Sequence, residues 1–186
     1  MEDRLYWLGW QYLMPAAGKR IWLLMEHFGS PRAAWEATVQ ELAAAPGFDE
    51  NKAIDLAERR AQLDPQTEAL KLAAQDIGFL CHSDPEYPEN LAGIYDPPPV
   101  IFYRGKPPTT GKLSIAIVGT RKPSPYGLAV AEKLAKDLAA VGFTVISGLA
   151  RGIDAVAHKG ALHSGGRTIA VLGCGPDVVY PKENKK

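Results

Sequence analysis

Residues 114–127 read SIAIVGTRKPSPYG, residues 143–154 read FTVISGLARGID, and residues 168–173 read TIAVLG. Each opens on a short β-rich run and closes in a glycine-containing loop. Ile115 to Val118 is continuously apolar, the pattern of a strand buried on both faces. Ser124-Pro125 supplies the cap and first position of a helix whose Ala131, Leu134, Ala135 and Leu138 share one face, and Gly142 ends it. Phe143 to Ile146 predicts a second strand, Ile153 to about His163 a second helix, and Thr168 to Leu172 a third strand. Strand–helix–strand–helix–strand with short links implies right-handed crossovers and a parallel, Rossmann-like α/β sheet. Such sheets bind ligands beyond the carboxyl ends of their strands, so the first two loops are the places to look.

Gly119-Thr120-Arg121-Lys122 follows the first strand and precedes a helix. Glycine admits close approach to the backbone, the threonine hydroxyl and free amides favour an anion, and arginine offers a fork matched to phosphate. An arginine paired with a surface carboxylate is the plainer alternative. Ser147-Gly148-Leu149-Ala150-Arg151-Gly152 ends the second strand in the same way, with small residues and one cation. Asp154 reads as a first-turn acid that complements the helix dipole rather than as a catalytic group. His158 reads as a packed residue beneath the loop. His158 and His163 are five apart and share no helix face, so no metal site is expected. Gly173-Cys174-Gly175 lacks the third glycine of a dinucleotide fingerprint, since Val178 stands there, and no Walker lysine occurs. Neither NAD nor ATP is expected as a cofactor. Gly175 and Pro176 read as a turn, with Tyr180 packing nearby.

Upstream, residues 1–64 read as a small all-helical domain. Gly29 ends one helix, Ser30-Pro31 starts another, Thr38 with Glu41 forms a capping box, and Asp49 caps a helix to about Leu63. The stretch 42–60, LAAAPGFDENKAIDLAERR, is similar to half of a helix–hairpin–helix. Only Gly47 sits in its turn and Phe48 suits a core, so a protein-interaction or spacing role is expected over DNA contact. Asp64-Pro65 opens a further helix with Leu70, Leu72, Ala73 and Ile77 available for burial and Gly78 closing it. The strand Phe79–Ser83 follows, then a segment with prolines at 85, 88, 97, 98 and 99 that admits no long element, then the strand 101–103 and a turn at 107–111. The domains are therefore expected at 1–64 and 65–186.

The formal net charge of zero argues against a wholesale basic coating but leaves room for a local basic groove. The two cysteines, Cys81 and Cys174, lie far apart in sequence and read as reduced thiols. No signal peptide and no run long enough to span a membrane is evident, which makes the cytoplasm the expected compartment.

The order and spacing of IVGTR at 117–121, Tyr126-Gly127, SGLARGID at 147–154, Ala157-His158, GGRTIAVLG at 165–173 and Tyr180-Pro181 resemble the DNA-processing protein A family, also called DprA or Smf. Residues 87–106 resemble its lead-in, and the likeness covers roughly residue 5 to the end. The resemblance implies a SAM-like or helix–hairpin–helix-like helical domain before an incomplete Rossmann-like domain, because related full-length proteins carry more sheet. It implies a non-enzymatic protein that binds single-stranded DNA in natural transformation, protects the incoming strand and helps to load the recombinase RecA. Residues 119–122 and 147–152 would make the contacts. Family dimers use surface that is at least partly absent here. Two alternatives stand beside this reading. One is an enzyme like the nucleoside-monophosphate phosphoribohydrolases, although their PGGxGT-type loop and catalytic glutamate are not found at Gly165–Thr168. The other is a remnant that binds nothing.

Overall fold

The computed structural model describes residues 2–15, 17–107, 113–178 and 180–181. The chain divides into two compact units, Met1–Thr110 and Gly111–Lys186.

The first unit begins with α1 (Glu2–Leu13), α2 (Gly18–Phe28), α3 (Pro31–Glu36), α4 (Val39–Ala44) and α5 (Glu50–Ala61). Their ends follow the capping chemistry of the sequence. Gly29 takes φ 78° at the end of α2, the Ser30 hydroxyl accepts the Ala33 N–H, and Asp49 accepts the Lys52 N–H. Thr38 and Glu41 satisfy each other's backbone amides at the start of α4. Trp7, Trp10, Ile21, Leu24, Leu42 and Leu56 fill the centre. The buried Trp10 indole N–H donates to the Pro31 carbonyl at 3.0 Å, so no polar cost is left there.

The unit continues through α6 (Pro65–Ala73), β1 (Ile77–Cys81), α7 (Glu89–Ala92) and β2 (Val100–Arg104). β1 and β2 pair antiparallel, with Cys81 opposite Val100. Cys81 and Val100 belong to the same core as the α1–α5 tryptophans, and Arg4 donates to the Phe79 carbonyl at 2.9 Å. That shared core is why the division lies at Thr110–Gly111 and not at the expected residue 64. Gly78, expected to close a helix, lies inside β1. The chain turns instead at Asp76, with φ 54°. Gly78 stands opposite Tyr103, and a Cβ there would strike the Tyr103 ring. Leu72 is buried as expected and Ile77 is buried in β1 rather than in the helix, while Ala73 is exposed and Leu70 is 61% exposed. Among the described residues, no helix is long and apolar enough to cross a membrane.

The second unit runs β3 (Ser114–Ala116), α8 (Pro125–Ala140), β4 (Thr144–Ser147), α9 (Ile153–His163) and β5 (Thr168–Ala170). The strands form a parallel sheet in the order β3-β4-β5, the Rossmann-like arrangement read from the sequence. Both helices pack on β4 and on each other. Their seam is built from small residues: Ala135, Ala139, Ala157 and Ala161 are buried with Val145, and the half-buried Ile117 packs against them. A Cβ on Gly160 would come within 2.6 Å of the Glu132 carbonyl oxygen, so the seam needs glycine there. The buried face of α8 is thus Ala131, Ala135 and Ala139, and Leu134, expected in it, is half exposed. Because both helices cover the Val145 side, the first strand is not buried on both faces, and Val118 is 69% exposed. The expected turn falls partly on residues 108–111, outside the described residues.

Candidate functional site

Two loops leave the carboxyl ends of β3 and β4, and one carboxylate joins them. Asp154, in the first turn of α9, is 7% exposed. Its Oδ1 accepts the Gly119 N–H at 3.3 Å and its Oδ2 accepts the Gly148 N–H at 3.2 Å. The Ile153 N–H donates to the Thr120 carbonyl at 3.2 Å, and the Ser147 hydroxyl donates to the Ile117 carbonyl at 2.7 Å. The loops are therefore tied to each other and to the start of α9 through backbone groups. A buried carboxylate that accepts amides at a helix N-terminus is favoured by both the bonds and the dipole.

This arrangement changes the meaning of the glycines. A Cβ on Gly119 would meet Ile153 Cγ1 at 2.7 Å, one on Gly148 would meet Asp154 Oδ2 at 2.8 Å, and one on Gly152 would strike the Thr120 carbonyl oxygen. Gly152 also holds φ 84° and ψ −127°, a conformation other residues avoid. The three glycines let the loops pack on one another. Their amides at 119 and 148 are already occupied, and Ser147 is buried, so these groups face inward.

What remains on the outside is a smaller set. Thr120, Arg121, Lys122 and Arg151 are exposed, as are the backbones of Gly119 and Gly148, while Leu149, Ala150 and Gly152 are half-buried. Leu149 takes φ 56°, a left-handed kink in the second loop. The Thr120 Oγ1 accepts the Lys122 N–H at 3.1 Å, which leaves its own proton to donate. Residues 97–131 contain no Asp or Glu, so nothing on this stretch of chain opposes an anion at Arg121 and Lys122. The α8 N-terminus is closed by Ser124, whose hydroxyl accepts the Gly127 N–H at 3.1 Å.

Beneath the loops, His158 Nδ1 lies 2.6 Å from Thr168 Oγ1, which itself donates to the Val145 carbonyl at 2.8 Å. With the single threonine proton spent, Nδ1 is the donor in that contact. His158 Nε2 is buried without a hydrogen-bond partner among the described groups. Burial lowers the His158 pKa, and the nearby Asp154 carboxylate partly opposes the shift. The third loop turns at Gly175–Val178 through a 3.0 Å backbone bond, with Cys174 and Tyr180 exposed. The tie made by Asp154 was not read from the sequence, although an acid in the first turn after a glycine loop was the available signal.

With this geometry in view, comparison with known proteins is decisive. The model of the family described as DNA recombination-mediator protein A matches residues 78–186. The chain belongs to that family. The Smf protein of Synechocystis is 36% identical over the whole chain, which spans 48% of that relative. DprA of Streptococcus pneumoniae is 45% identical over 54% of the chain and 35% of its own length. The X-ray structure of the S. pneumoniae DprA superposes with a TM-score of 0.72 at 31% identity, covering 94% of this chain and 60% of that one. The chain thus spans only about half the length of these DprA and Smf proteins.

Proposed function

We propose that this DprA-family chain binds single-stranded DNA through the outer rim of the two tied loops. Arg121, Lys122 and Arg151 contact phosphates, and the Thr120 hydroxyl donates to a phosphate oxygen. The observation that carries the reading is the exposed cation pair Arg121-Lys122 on a segment free of acidic residues, mounted on loops tied from within by Asp154 and the Ser147 hydroxyl. Cations on a fixed frame suit the phosphate backbone of any sequence. Relatives named DNA processing proteins supply the context. In it, the protein works in the cytoplasm, guards incoming strands during natural transformation and assists RecA loading, without covalent chemistry. A homodimer would present two such rims.

Titration of the chain with labelled oligo-dT tests this directly. The log–log salt slope should be about −2, near −0.7 for each of three cations. Ribose 5-phosphate release from AMP, measured in parallel, tests the enzyme alternative. Absence of oligo-dT binding at low salt overturns the proposal.

A further inference from the structure

Tyr126 sits in the first turn of α8, and its side chain is 79% exposed. A tyrosine ring ordinarily buries much of its surface against neighbours. This one makes no aromatic pair and no cation–π contact among the described residues. Its mounting is rigid all the same. Pro125 and the Ser124 cap precede it, and the capped Gly127 follows, in a helix of 16 residues. Arg121 and Lys122 lie five and four residues back, within at most about 17 Å of chain. The acid-free segment 97–131 includes all three.

We propose that Tyr126 is a stacking platform for a base of the strand whose phosphates Arg121 and Lys122 hold. The proposal rests on the single-strand reading given above. An open π-face beside cations on a fixed frame is the combination that holds single strands without regard to sequence. Every base has a π-face to offer, and a tyrosine has only two side-chain torsions to immobilise on contact. Tyr95, which is more exposed still, is a weaker candidate, because Lys19 Nζ already lies 5.2 Å from its ring centroid and Asp96 follows it. Tyr126, Val130 and Leu134 also recur at helical spacing with exposed side chains, so a protein partner on that stripe is the competing occupant. The two cations four and five residues before Tyr126, on a segment without acidic residues, favour the nucleic acid.

The test compares labelled oligo-dT with an abasic strand of equal length, using the whole chain. Tyr126→Ala should weaken oligo-dT binding about tenfold to a hundredfold, the range expected for one stacked base. Tyr126→Phe should keep most of the affinity. On the abasic strand, Tyr126→Ala and the unaltered chain should bind alike, whereas Arg121→Ala should lose affinity on both strands. An equal loss from Tyr126→Ala on both strands overturns the stacking role. So does unchanged oligo-dT affinity in a variant whose circular dichroism is intact. If Tyr126→Ala alters sedimentation while oligo-dT affinity holds, the stripe is a protein-docking face instead. A loss with Arg121→Ala and none with Tyr126→Ala removes the platform but keeps the single-strand reading. No binding by the unaltered chain removes both.

Discussion

Asp154 accepts the backbone N–H of Gly119 at 3.3 Å across 35 residues of sequence. Its second oxygen holds Gly148, so one side chain fixes two loops from neighbouring strands. Asp154→Asn keeps the shape but replaces one acceptor by a donor, which then faces an amide N–H. A loss of about 1–3 kcal/mol in stability is expected, with weaker oligo-dT binding beside it. Denaturant unfolding and the same titration measure both. Retention of full stability and affinity would show that the tie is dispensable.

Arg121→Ala should weaken oligo-dT binding by about 1.5–3 kcal/mol, the worth of a charge-assisted contact. Arg121→Lys should recover only part, because the forked donor is lost. Stability should hardly change in either variant, since Arg121 is exposed. Unaltered affinity in the alanine variant would remove Arg121 from the site.

Gly152→Ala meets two obstacles, the positive φ and the Thr120 carbonyl oxygen. The strain alone costs roughly 1–3 kcal/mol. Thermal melting should show the loss, and the Gly119 and Gly148 amides should exchange faster with deuterium. A melting temperature equal to that of the unaltered chain would contradict the close approach of the loops.

His158 is held below its ordinary pKa by burial. The unfolded chain therefore binds the proton more readily than the folded one. The stability that comes from keeping His158 neutral is complete above about pH 6.5 and falls away as pH drops below that value. His158→Gln should flatten this part of the pH–stability curve measured between pH 7.5 and 5. Superimposable curve shapes for the two proteins would refute the linkage.

Burial also pushes the Cys81 thiol up to about 12, while Cys174 is exposed. A thiol reagent at neutral pH should modify one cysteine quickly and the second only after denaturation. Rapid modification of both in the native protein would mean that the core around Cys81 opens readily.

The parallel sheet was legible because its alternation of apolar runs, caps and glycines is local. Ser124-Pro125, Thr38 with Glu41, and Gly29 acted where the sequence placed them. What was not legible depended on partners distant in sequence. Gly78 looked like a helix stop because the Tyr103 ring that requires it lies 25 residues away. Val118 looked buried because a run of apolar residues does not say that both helices share one face. The exposed cations Arg121 and Lys122 could be picked out from residue type alone. The inward use of Ser147, Gly119 and Gly148 could not, since it depends on a carboxylate in another element.

The mutual packing of the two loops has a consequence for substitution. Gly119, Gly148, Gly152 and Asp154 form a chassis in which almost any change is penalised. Thr120, Arg121 and Lys122 hang from it and bear on little else. A substitution among those three side chains is therefore expected to leave the loop frame standing, whereas one in the chassis disturbs both loops at once. Any chain that keeps these three glycines and the aspartate is expected to keep the same mounting of its two loops.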